Sequence, residues 1–113
     1  MEGEKIQIKK GEEMKICGYD YKMKVNQHYL KEGQIWSGSC EPSKFIIEVA
    51  ENIPRQLAET TVIHEQLEAL NHHLQLGLDH DTLSRVETGM YQALVDNGVD
   101  LSPLLAELDV EFE

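Results

Sequence analysis

Positive charge is what this chain has least of. Ten Lys and Arg stand against 21 Asp and Glu, a formal net charge of −11, and that sign repels phosphate backbones and anionic lipid surfaces. Direct nucleic-acid binding is therefore disfavoured. Long apolar runs are missing as well: no stretch approaches the roughly 18 residues that a membrane span needs. The start, Met1-Glu2-Gly3-Glu4-Lys5, lacks the basic and apolar regions of a signal peptide. The two cysteines, Cys17 and Cys40, are far apart and form no CxxC pair, too thin a framework for a secreted disulfide-built domain. Free thiols, no membrane segment and a cytoplasmic location are the expectations.

What is present suits a compact core. The chain is 41% hydrophobic and 27% charged, ordinary for a globular domain, and 113 residues leave room for one domain. No internal repeat, low-complexity tract or linker divides it. Residues 1–25 hold six Lys against five acids, leaving four basic and sixteen acidic residues for 26–113, so the acidity belongs to the later part.

Three parts follow from the hydrophobic pattern. Residues 1–50 are β-rich: Lys5–Lys10 and Met14–Cys17 alternate, Tyr21–Val25 follows a Gly18 turn, and Lys44–Val49 is the clearest strand. Within that part, 26–43 reads as mainly loop, with Ile35-Trp36 as a short strand at most. From Pro54 the period becomes helical, with Ile63, Leu67, Leu70 and Leu74 as one stripe; a second helix from about Asp81 to Asn97 carries Leu83, Val86, Met90 and Leu94. Residues 54–97 thus form a two-helix part, and 98–113 an acidic C-terminal segment with a short turn after Ser102-Pro103. The fold class expected is α+β, a small, mainly antiparallel sheet followed by two main helices.

The segment Thr61-Val62-Ile63-His64-Glu65-Gln66-Leu67-Glu68 carries chemistry. In H-E-x-x-H the two histidines lie one helical turn apart and ligate one zinc ion, while the glutamate after the first is general base toward the water that the metal activates. Here the fifth position is Glu68, and a carboxylate oxygen is also an acceptable zinc ligand, so His64 and Glu68 remain a sensible pair. Counting about 100° per residue from Leu83, Val86, Met90 and Leu94 fall near 300°, 340° and 20°, and Glu87 near 40°, on the edge of the apolar face. An acid there needs a partner, which makes Glu87 a candidate third ligand. It is equally placed to close a capping box with Ser84, unless Asp79 or Asp81 caps an earlier start. Tyr91, one turn on, is a candidate oxyanion stabiliser. His72 could form a rival pair with Glu68, but it is about 12 Å along the axis from His64, and His72 and His73 are read as exposed. His80 is read as a residue at the start of the helix, and His28 carries no spacing argument.

An Ile-rich strand, a helix with T-x-x-H-E and a following helix with E-x-x-x-x-Q-x-L resemble the small zinc-peptidase-like proteins of phages and prophages related to the ImmA/IrrE metallopeptidase family, over roughly Lys44 to Asn97. The resemblance implies a minimal zincin, an HExxE variant of the HExxH site, cytoplasmic in a bacterial host. It places Glu65 as the catalytic base and His64, Glu68 and Glu87 as ligands of one divalent ion, zinc or else manganese. The substrate implied is a peptide or protein, which strand 44–49 could align by main-chain pairing. One His and two Glu make a weaker Lewis acid than two imidazoles and one carboxylate. A catalytically inactive relative that binds and inhibits a host factor through its acidic surface or sheet edge is the alternative.

Overall fold

The computed structural model describes residues 14–26, 36–106, 108 and 112, and the backbone alone of 30–31 and 34–35. The Lys5–Lys10 segment, His28 and residues 107, 109–111 and 113 of the acidic segment lie outside the described residues. The chain is α+β. Strands β1 (Met14–Ile16), β2 (Tyr19–Asn26), β3 (Leu30–Lys31), β4 (Gln34–Ile35), β5 (Gly38–Glu41) and β6 (Ile46–Ala50) precede helices α1 (Arg55–His73) and α2 (His80–Asp96) and a 3₁₀ turn, Ser102–Leu105. The main sheet has the order β1-β2-β6-β5, and β3 pairs with β4 in a separate hairpin. Strands β1 with β2 and β5 with β6 are antiparallel, whereas β2 and β6 run parallel.

Local chemistry sets these elements. Cys17 and Gly18 both have positive φ, 53° and 82°, which matches a two-residue turn whose twist suits the right-handed strands around it. Residues 26–43, read as mainly loop, contain β3, β4 and β5. Strand β6 begins at Ile46 rather than Lys44, because Pro42–Phe45 form a turn in which the Lys44 and Phe45 amides donate to the Glu41 and Pro42 carbonyls. Ile47 and Val49 alternate inward, fully buried with Tyr21, against Ala58, Val62 and Ala69 of α1.

Helix α1 has two packing faces. Of the expected stripe, Ile63 is buried, Leu67 and Leu70 are half-buried and line with it a groove shared with Ile16 and Cys17 at the end of β1 and with Met90, Leu94 and Leu104, and Leu74 is 57% exposed. The face on the sheet is built instead from small residues, which let helix and strands approach closely. Gly38 marks the tightest point, since a Cβ there would sit 2.4 Å from Thr61 Cγ2 and 2.8 Å from the Glu48 carbonyl oxygen. Gly38→Ala is expected to cost about 1–3 kcal/mol through overpacking, read as a lowered urea midpoint at unchanged slope.

Helix α2 starts at His80, with Asp79 as its cap: Asp79 Oδ1 accepts from the Thr82 amide at 2.8 Å, and that bond holds the Asp79 carboxyl below its usual range. The earlier cap leaves Glu87 free of the capping role. Of the expected stripe only Leu83 is fully buried, and Val86 and Met90 stay 40% and 42% exposed, because α2 rests on α1 along one edge and no described layer covers its far side. His73, expected to be exposed, is half-buried. Its Nε2 pairs with the buried Tyr21 hydroxyl, and its ring lies 4.6 Å from that of Tyr19, closing the last turn of α1 onto β2. No described helix is long and apolar enough to cross a membrane.

Candidate metal centre

Helix α1 carries His64, Glu65 and Glu68 under the edge strand β5. The spacing of four residues puts His64 Nε2 3.3 Å from Glu68 Oε2, as one helical turn requires. Residues 74–79 then return the chain antiparallel, so that the first residue of α2 comes back over the same turn of α1. His80 Nδ1 lies 3.4 Å from the same Glu68 oxygen, and the two imidazole centroids are 4.9 Å apart. Asn71 fixes this return: its side-chain amide donates to the Leu78 carbonyl and its oxygen accepts from the Leu78 amide, both at 2.9 Å.

His64, Glu68 and His80 thus form a group that could hold a metal ion, each offering one donor atom, all within 4.8 Å of one another. The donor chemistry fits. Donors about 2.1 Å from a tetrahedral ion are about 3.4 Å apart, which is the spacing of the two imidazole nitrogens from the shared carboxylate oxygen. The set is two imidazoles and one carboxylate.

Glu87, expected as the third ligand, occupies a different place. Its Oε1 lies 3.1 Å from His64 Nδ1, the ring nitrogen turned away from Glu68. His80 takes the third position instead. Tyr91, expected near the metal, points elsewhere: its hydroxyl donates to Glu59 Oε1 at 3.1 Å, the same carboxylate that Arg55 meets at 3.4 Å. His72 is exposed at the rim of the cleft.

Glu65 is the outlier of the site. It is 7% exposed and forms no hydrogen bond or ion pair among the described residues, although a buried carboxylate normally has a partner. Burial first, then the Glu68 and Glu87 charges, push its carboxyl up to about 8. Burial and the charges of Glu65 and Glu68 likewise push the Cys40 thiol up to about 12. Both cysteines are free thiols.

These groups open onto a cleft of about 750 Å³ whose other wall is Trp36 and the edge strand, Ser37 through Cys40. Strand β6, expected to align a substrate, is hydrogen-bonded on both sides, to β2 and to β5. Among the described residues, the edge strand beside the site is therefore β5. Neither His80 nor β5 was legible from spacing. The short connection between two helices is the signal that brings His80 near Glu68, since short loops make neighbouring helices antiparallel. No protein-family model, no curated protein and no solved structure matches the chain.

Proposed function

We propose that the chain is a metal-dependent peptidase-like hydrolase that holds one divalent ion, zinc in preference to manganese, through His64, Glu68 and His80, with Glu65 as general base. The observation that carries this reading is Glu65, 7% exposed, with no hydrogen bond among the described residues and facing the cleft beside a three-donor group. A carboxyl raised to about 8 with no hydrogen bond among the described residues is costly for the fold, and such groups concentrate at functional sites. Two imidazoles and one carboxylate are also the donor set of zinc peptidases such as thermolysin. Compared with one imidazole and two carboxylates, that set carries one negative charge fewer, which favours the catalytic reading over an inactive, purely binding one.

When bound, the ion supplies a Lewis acid that polarises the scissile carbonyl and acidifies the attacking water. Glu65 takes the proton from that water and passes it to the leaving amine, a transfer favoured by a carboxyl poised near neutral pH. The outer edge of β5 receives the peptide as an added strand, its backbone amides and carbonyls holding the chain extended across the cleft. Trp36 and Leu57, both in the cleft wall, offer apolar contact for a side chain.

The test uses the protein dialysed against zinc and, separately, manganese, followed by elemental analysis and incubation with a denatured protein and a quenched-fluorescence peptide library. One ion per chain is expected, with cleavage that stops on chelation and returns with zinc. A chain that retains neither ion overturns the metal reading. Stoichiometric ion without cleavage of any substrate overturns the hydrolytic one.

A further inference from the structure

Glu87 stands outside the donor group, yet its position is specific. His80 and Glu87 are seven residues apart on α2, two helical turns and so one face. That face brings one residue to each side of His64. His80 meets the cluster at Glu68 Oε2, 3.4 Å away, and Glu87 Oε1 lies 3.1 Å from His64 Nδ1. The Glu87 side chain is 18% exposed and that of His64 11%, so their contact is largely shielded from water.

An ionised carboxylate only accepts hydrogen bonds. Facing Nδ1, it therefore favours the tautomer in which Nδ1 carries the proton and donates, leaving the Nε2 lone pair on the side of Glu68 and His80. Carboxylates behind ligating histidines act in this way, fixing ring orientation and raising the basicity of the donor nitrogen. Resting on the reading of the site given above, we propose that Glu87 is a positioning residue rather than a ligand: it holds His64 with Nδ1 protonated and Nε2 aimed at the ion. Helix α2 then delivers one ligand and one positioning carboxylate to the same imidazole.

Three measurements on the full chain separate the roles. X-ray absorption of the zinc-loaded protein counts imidazoles: two are expected, from His64 and His80, and a single imidazole would mean that the ligand set is His64, Glu68 and Glu87, overturning the proposal. Competition with a chelating dye gives zinc affinity. Glu87→Ala is expected to weaken it about 10- to 100-fold at unchanged stoichiometry, and Glu87→Gln, whose amide oxygen still accepts from Nδ1, by less than about tenfold. Loss of zinc in Glu87→Gln as complete as in His64→Ala overturns the proposal.

Imidazole nitrogen NMR of the metal-free chain supplies the readout that a merely structural role would not move. His64 should be in the Nδ1–H tautomer in the wild type and in Glu87→Gln, and leave it in Glu87→Ala. An unchanged tautomer in Glu87→Ala overturns the proposal. A wild type that binds no zinc overturns the metal reading instead, and the tautomer measurement still decides whether Glu87 holds the ring.

Discussion

Glu65→Gln is expected to lower peptide turnover by about 10²- to 10⁴-fold, the usual contribution of a general base, while one ion per chain stays in place. The same variant is expected to be more stable than the wild type once metal is removed and the pH is raised. Burial lifts the folded-state pKa of Glu65 from 4.5 to about 8, so the folded chain holds this proton more tightly than the unfolded one. The associated stability is fully present below pH 4.5 and is lost as pH climbs toward 8, at up to about 1.4 kcal/mol per pH unit. Gln has no proton to lose, and its contribution is flat across that window. Urea unfolding of chelator-treated wild type and variant at pH 5, 6.5 and 8 measures the difference. Equal slopes in the two proteins would rule out Glu65 as the buried acid, and full turnover in the variant would rule it out as the base. A gain in stability joined to a loss of activity is the pattern expected where a strained group is kept for its chemistry.

The second large effect concerns the ion itself. His64→Ala and His80→Ala should each weaken zinc binding by more than about 100-fold, the upper end of what residues outside the ligand shell contribute. His72→Ala, at the rim of the same cleft, should leave affinity unchanged. His64 is 9% exposed, so its removal also leaves Glu68 and Glu87 facing a space without the imidazole between them. His80 is the cleaner probe: its side chain is 63% exposed, and its loss disturbs little packing. Retained zinc affinity in His80→Ala, by calorimetry on refolded protein, would dismiss it as a ligand.

How far the sequence reaches is clearest at these residues. His64 and Glu68 follow from a helical repeat of four, a purely local relation, and the structure brings them together. Strand β6 follows from its β-branched alternation. Strand β5 does not, because Gly38-Ser39-Cys40-Glu41 has the composition of a loop. It is a strand through pairing with β6, and Gly38 is needed where α1 presses on it. The leucine stripe of α1 is a true periodicity whose neighbours were not legible: the core takes Ala58, Val62 and Ala69 from another face of the helix, and Ile63, Leu67 and Leu70 line a groove shared with Ile16, α2 and the 3₁₀ turn. Glu87 was legible as an acid that needed a partner, but not which partner, since hydrophobic angle fixes a face and not the nitrogen it meets. His80 depends on how two helices fold back on each other, a tertiary relation with no fixed spacing.

The shallow seating of α2 gives the site a second meaning. Among the described residues Leu83 is the one buried residue of that helix, so apolar contact alone anchors it weakly. His80 sits on its first turn while His64 and Glu68 sit on α1, and an ion shared by the three would act as a clasp across the hairpin. Loading and local order would then be linked: metal at 100 times its dissociation constant adds about 2.7 kcal/mol to the folded state. Amide exchange along α2 would slow on loading more than exchange in the sheet. On the proposed reading of the site, the ion would add to the thin apolar anchoring of α2 a bond between the two helices that packing alone does not supply.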